Sequence, residues 1–339
     1  MKAAVITKFG PPGVLKIQDL PMPEPGEGEV LVRVKVIGLN FADIFARLGV
    51  YPGIPDPPFV PGIEFAGIVE TVGKKVRGVR KGDRVFGFSR QGAYAEVVKT
   101  RADYLTRIPK KMTFHQAAAF SVASFSAYHG LVTLANIKRN EKLLLHAAAG
   151  GVGTMAIQIA RHLGAEIFAT AGSASKLEVA RKLGADHLVN YRAEDFADVI
   201  RRESNGYGVD VVLDSVGGSV FRKGWNLLAP MGRYVLFGFA AMTGKRSISK
   251  VKMLMESARV AVIFPPSLVS RNVSLIGFNL YFLAHKVELF KRVAKVLIRW
   301  YEKGIIKTQI GSVYRFDQIA SAHEFLQSRK SVGKVVVEL

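Results

Sequence analysis

Leu143-Leu144-Leu145-His146-Ala147-Ala148-Ala149-Gly150-Gly151-Val152-Gly153 is the stretch on which the reading of this chain turns. An apolar strand runs into a glycine turn and then into a helix opening at Gly151. Gly150 permits the tight turn and lets backbone approach a pyrophosphate. Gly153 allows helix to pack closely on strand, and the helix N-terminus offers unpaired N–H groups to phosphates. Against the fingerprint G-x-G-x-x-G, Ala148 replaces the first glycine. A glycine triplet alone is weak evidence. Flanked by a strand, a helix and a second strand ending about 20 residues on, it points to a bound dinucleotide rather than a purely structural turn. Gly150, Gly151, Val152 and Gly153 are the candidate pyrophosphate residues.

The second strand selects the dinucleotide. NAD-binding chains end it with an Asp or Glu that bonds the ribose 2′-OH. Here it ends Phe168-Ala169-Thr170-Ala171-Gly172-Ser173-Ala174-Ser175-Lys176, without an acid. A 2′-phosphate would be repelled by a carboxylate and held by Lys176 and the Ser173 hydroxyl, so NADPH is expected. The plainer alternative places Lys176 in the solvated first turn of the next helix.

Outward from this turn the rhythm differs on the two sides. Residues before about 110 form short alternating runs, Glu29–Val36, Gly67–Val72 and Ala93–Val98, between Pro- and Gly-rich turns that exclude long helices. From Phe114 onward, β runs at Lys142–His146, Glu166–Thr170, His187–Asn190, Val209–Leu213 and Arg233–Phe237 alternate with helical stretches, as a parallel sheet covered on both faces requires. After a looser stretch the pattern resumes with Val273–Gly277, helices near Lys286–Lys303 and Asp317–Ser328, and a last strand Lys334–Glu338 that should return to the first domain. The expected domains are 1–120, 121–272 for the dinucleotide unit, and 273–339 for the return.

The 339 residues suggest two domains, with 49% hydrophobic and 22% charged residues as in ordinary globular proteins. No cysteine is present, which removes disulfide scaffolds, thiolate nucleophiles and Cys-based zinc sites. The start shows no signal-peptide pattern and no apolar run approaches the roughly 18 residues of a membrane span. No tyrosine has a Lys four residues later, and G-x-S-x-G, Walker and H-E-x-x-H motifs are missing. Ser173–Lys176 fits S-x-x-K without its companions. A cytoplasmic location is expected.

Together, the Gly150–Gly153 turn, the β-rich leader and the C-terminal return resemble the medium-chain dehydrogenase/reductase superfamily. Its zinc alcohol dehydrogenases have a Cys after the Gly near position 40 and a Gly-His-Glu. This chain has Gly38-Leu39-Asn40-Phe41-Ala42-Asp43 and Gly62-Ile63-Glu64. That resembles the zinc-free quinone oxidoreductase family. The segments Gly224–Arg233 and Ile276-Gly277-Phe278-Asn279-Leu280 are similar to its vesicle amine transport protein branch, some of whose members associate with membranes.

The resemblance implies a discontinuous GroES-like β-rich catalytic domain with a Rossmann domain inserted, and a homodimer. It places Asn40 and Asp43 on the nicotinamide side, Tyr51 near the substrate mouth and Ser126 near the carboxamide. Gly172, Lys176 and Tyr191 fall around the 2′-phosphate, Phe237-Gly238 and Gly277-Phe278 on cofactor-lining loops, and Arg329 at a late basic contact. His129 departs from the aromatic of some relatives.

The activity implied is NADPH-dependent, metal-free hydride transfer to a quinone or activated alkene (enone). Asn40 and Tyr51 are the candidate donors to the developing oxyanion, each worth about 2–4 kcal/mol. Asn40 as a helix cap, Tyr51 as a loop aromatic, His146 as a core histidine and Glu64 as a local partner in the β domain are the structural alternatives. The net charge of +21 opens a second reading, a reductase-fold adaptor that binds NADPH with little turnover at an anionic membrane surface. Its candidate contact is Lys245–Arg271. Lys291, Lys295 and Arg299 recur along one helix face, which fits a packed helix with a solvated outer side. No nucleic-acid motif accompanies the charge.

Overall fold

The computed structural model describes residues 1–242 and 265–339. Valine at alternate positions makes Glu29–Gly38 a ten-residue strand that buries Val30, Val32, Val34 and Val36. This strand is the spine of a seven-stranded sheet. One edge pairs antiparallel with Glu64–Val72, which leads on to Arg84–Phe88 and Leu105–Arg107. The other edge is shared: Val97–Arg101 takes its first half and the last strand of the chain, Lys334–Glu338, its second. Pairing of the run expected at Ala93–Val98 thus begins only at Val97, while Ala95 makes a single bridge to Ala3. A seven-residue helix, Phe41–Arg47, fits between the prolines.

Six parallel strands form the second sheet, in the spatial order His187–Asn190, Glu166–Ala171, Lys142–Leu145, Val209–Asp214, Leu228–Leu236, Ser274–Gly277. In sequence order this is 3-2-1-4-5-6, a doubly wound Rossmann sheet whose order reverses between Lys142–Leu145 and Val209–Asp214. Both faces are covered. Leu143, Leu145, Ile167 and Leu213 pack with Ile157 of helix Gly151–His162 and Leu297 of helix Val287–Glu302. Leu144, Phe168 and Val212 pack instead with Ile200 and Phe221. Each such burial contributes ~1.5–3 kcal/mol.

The return to the first sheet starts later than expected. Ser274–Gly277 pairs with Leu228–Leu236 in the parallel sheet, and helix Val287–Glu302 packs against it, so the chain rejoins the first sheet only at Ile310–Arg315. A short apolar run carries no mark of which sheet will accept it. On helix Val287–Glu302, Lys291, Lys295 and Arg299 are exposed while Ala294 and Leu297 are buried. The candidate membrane segment Lys245–Arg271 lies outside the described residues except for its end, helix Pro265–Arg271. No helix among the described residues is long and apolar enough to cross a membrane.

Candidate functional site

The left-handed bend after strand Lys142–Leu145 falls on Ala147 (φ 52°), and Gly150 is extended at φ −79°, ψ 174°. The role first given to Gly150 is corrected accordingly: it does not make the turn. The bend requires φ > 0, which costs an L-residue about 1–2 kcal/mol. Gly150 instead bridges Gly333, whose N–H donates to the Ala149 carbonyl at 2.7 Å. A Cβ on Gly153 would stand 2.5 Å from the carbonyl oxygens of Ala147 and Ala148. The helix therefore seats directly on the turn, presenting the first-turn N–H groups of Gly151, Val152 and Gly153.

Beyond the second strand the structure gathers Gly172, Ser173, Lys176, Tyr191 and Arg329 around one cleft of about 590 Å³. Ser175, Arg192 and Lys330 also line it, and sequence reasoning missed them although Arg192 and Lys330 directly follow residues it named. The Tyr191 hydroxyl crosses the face of Gly172 so closely that a Cβ there would meet it at 2.6 Å. Lys176 donates to the Arg329 carbonyl at 2.6 Å. Its ammonium is held below the ordinary lysine range, first by burial and then by the Arg192 charge. With Lys176, Arg192, Arg329 and Lys330 against the one carboxylate of its wall, Glu324, the half-buried cleft carries a net positive charge that suits an anion.

A second group forms where the later parallel strands end. Phe237 stacks on Phe278 at 5.4 Å, and Phe278 meets the buried His129 ring edge-on at 5.1 Å. Burial pushes His129 below the usual histidine range. Gly238 lies where a Cβ would be 2.8 Å from the Ser215 carbonyl, and Gly277 closes its strand. Ser126 is buried on helix Ser121–Tyr128. His146 is a core residue, bonded to Thr170 Oγ1 at 3.0 Å and pushed down by burial.

The third group is a polar hub. Asn40 caps helix Phe41–Arg47, its N–H donating to Asp43 at 2.8 Å. Its amide donates to Glu64 at 3.0 Å and to the Gly38 carbonyl at 3.2 Å, and its oxygen accepts from Lys334 at 2.5 Å. A flipped amide would set N–H against the ammonium, so this orientation is fixed. Glu64 also accepts from Ser121 Oγ and Val122 N–H, both at 2.7 Å, so it ties the first sheet to the following helix and the last strand rather than bonding locally. Tyr51 donates to Asn279 at 3.0 Å and meets Tyr281 edge-on; burial pushes its phenol up to about 12. Both expected oxyanion donors are thus engaged within the protein. Lys334 was missed entirely: it lies in an apolar strand and reaches the hub only through tertiary pairing.

Residues 26–110 match the alcohol dehydrogenase GroES-like domain family, and residues 151–294 the family described as zinc-binding dehydrogenase. The synaptic vesicle membrane protein VAT-1 homolog of Rattus norvegicus is 38% identical over 99% of this chain and 84% of its own length. The quinone oxidoreductase of Sus scrofa is 33% identical, covering 100% of this chain and 98% of its own. The chain belongs to the zinc-free quinone oxidoreductase family, in its VAT-1 branch. The quinone oxidoreductase of Escherichia coli, solved with NADPH, superposes with a TM-score of 0.89 at 32% identity over 100% of both chains. As a member of this family the chain is an oxidoreductase of the medium-chain class, with its Rossmann and GroES-like units in the expected arrangement.

Proposed function

We propose that this chain reduces quinones or activated alkenes with NADPH and without a metal ion. The cleft carries the reading. Lys176, Arg192, Arg329 and Lys330 line it with the serines Ser173, Ser175 and Ser328; its one carboxylate, Glu324, comes from helix Ile319–Gln327 and not from the strand end where an NAD site places its acid. Gly172 leaves the room that a side chain would fill beneath Tyr191. These residues suit a 2′-phosphate, and the helix opening at Gly151 suits a pyrophosphate. NADPH supplies a hydride when bound. Phe237, Phe278 and His129 furnish an apolar wall that keeps water from the reacting face. The chemistry of the hub, an amide, a carboxylate and a lysine ammonium, with Ile63 beside it, offers a zinc ion no thiolate or imidazole set.

Fluorescence titration should show NADPH binding at least about tenfold more tightly than NADH. The bound cofactor should be oxidised by a panel of ortho- and para-quinones and enones, with no loss in chelator. Equal affinity for both nucleotides, or no turnover with any acceptor, overturns the reading. The reading includes a homodimer: no described residue pairs with the outer edge of Ser274–Gly277, where Leu275 is 41% exposed.

The net charge of +21 favours a second reading, peripheral contact with anionic lipid. Sedimentation with anionic liposomes, weakened by salt, tests it; none at low salt ends it.

A further inference from the structure

Asn279 follows Phe278 directly, just past the carboxyl end of strand Ser274–Gly277, on the side of the parallel sheet where a doubly wound fold has its ligand crevice. Phe278 joins the apolar wall with Phe237 and His129, and Asn279 meets the loop that follows helix Phe41–Arg47. The Asn279 side-chain oxygen accepts twice, from the Tyr51 hydroxyl and from the Tyr281 N–H, both at 3.0 Å. A backbone N–H can only donate, so the amide orientation is fixed and Tyr51 is the second donor.

Tyr281 closes the contact from its own side. Its hydroxyl donates to the Gly53 carbonyl at 3.2 Å, and its ring meets Tyr51 edge-on at 5.6 Å and Phe282 at 5.3 Å. Gly53 stands at φ 80°, a left-handed value that glycine adopts without strain, and Pro52 and Pro55 stiffen the backbone around it. Two hydrogen bonds and an aromatic pair, each joining residues more than 200 positions apart, thus clasp the first domain to the second across the crevice.

Behind the clasp the space is filled. Tyr51 and Tyr281 close a gap walled by Asp43, Ile54, Phe59 and Ile63, and its volume is about 10 Å³, room for about one water. Small-molecule sites run to roughly 300–1,000 Å³. A ring-sized acceptor fits between the two loops only when they part. The clasp can part readily: Tyr51 and Tyr281 are half-buried and Phe282 is 49% exposed, so water takes over each hydrogen bond as it breaks.

We infer that Asn279 and Tyr281 are specificity-determining residues: with Tyr51 and Gly53 they form a latch between the domains that admits the acceptor and selects it by size. This rests on the reductase reading above. A flat one-ring acceptor passes when the loops part slightly, whereas a fused-ring acceptor needs both hydrogen bonds broken. The bond between Tyr51 and Asn279 makes the tyrosine hydroxyl part of the latch.

Kinetics of the NADPH-loaded enzyme with para-benzoquinone and a fused three-ring ortho-quinone test the latch. Asn279→Ala removes the acceptor for Tyr51 and should raise kcat/KM for the three-ring quinone, relative to the one-ring quinone, about tenfold. Tyr281→Phe keeps the ring, removes only the bond to Gly53, and should raise the same ratio about two- to tenfold. General loosening of the fold would lower activity with both acceptors and leave the ratio in place. In the cofactor-free protein, hydrogen exchange at the Tyr281 amide should quicken about two- to tenfold in Tyr51→Phe, because the hydroxyl and that amide share one oxygen. Should Asn279→Ala not fold, Tyr281→Phe decides. With an active wild type, an unmoved ratio in Tyr281→Phe, or unchanged exchange in Tyr51→Phe, overturns the latch alone. A wild type that reduces no quinone or enone overturns it together with the reductase reading.

Discussion

Lys334 donates to Glu64 at 2.7 Å with the two side chains 5% and 0% exposed. The last strand of the chain is thereby fastened by charge, as well as by its ladder, to the strand that carries the hub. The same ammonium reaches the Leu39 carbonyl at 2.6 Å, so none of its three hydrogens goes to solvent. Breaking one partner of such a pair strands the other.

Lys334→Met should therefore cost about 3–5 kcal/mol, and Glu64→Gln in the same background should recover part of it. Urea unfolding of both single variants and the double variant closes the cycle. Simple addition of the two losses would mean that the charges do not sense each other.

Lys176→Ala should raise the Michaelis constant for NADPH by about ten- to a hundredfold and leave that for NADH nearly unchanged, the effect of losing a charged hydrogen bond. Arg192→Ala should act in the same direction, because Arg192 lines the same cleft. Steady-state kinetics with each nucleotide is the measurement, and parallel losses would contradict the placement of the phosphate.

Two glycines should respond in opposite ways. At Gly153 an added Cβ meets backbone carbonyls at 2.5 Å, which cannot yield, so Gly153→Ala should destabilise the fold by about 1–3 kcal/mol. At Gly172 it meets the ends of the Tyr191 and Arg192 side chains, and Tyr191 is 49% exposed and free to swing. Gly172→Ala should change stability by less than about 1 kcal/mol but weaken NADPH binding. Thermal unfolding paired with nucleotide titration separates the two.

Asp43 and His323 should pull stability in opposite directions with pH. Asp43 is raised from 3.8 to about 7, so its contribution is complete below 3.8 and is lost as pH rises through about 7. His323 is lowered from 6.5 to about 3, so acid favours the unfolded chain, which takes up the proton; the loss begins below 6.5 and grows toward 3. Between 3.8 and 6.5 the two proton counts cancel. Asp43→Asn should then make the protein weaken on acidification, and His323→Phe should make it strengthen, each by up to about 1.4 kcal/mol per pH unit. Urea midpoints across that window provide the check, and equal slopes in the two variants would refute it.

Much of the architecture was readable along the chain. Strands at His187–Asn190 and Lys334–Glu338 and the helix near Val152–Leu163 announced themselves by period and by punctuating glycines. That Gly172, Ser173 and Lys176 share one cleft was readable too, because they follow one strand within a single turn. What escaped were residues whose meaning depends on a distant partner: Lys334 inside an apolar strand, Tyr94 in a loop, His323 on a helix face. The sheet that accepts Ser274–Gly277 escaped for the same reason.

Local spacing governs backbone conformation, since the helix and strand periods and the left-handed turn are set by neighbours a few bonds away. From it came the parallel sheet, the dinucleotide turn and the absence of an acid after the second strand. Folding alone decided that Ala147 rather than Gly150 takes the bend, that Asn40 and Tyr51 are engaged by Glu64 and Asn279, and that Tyr94 meets His323 in the core. Burial and charge act through space, and the distance between two side chains remote in sequence is set only when the sheets have closed on each other.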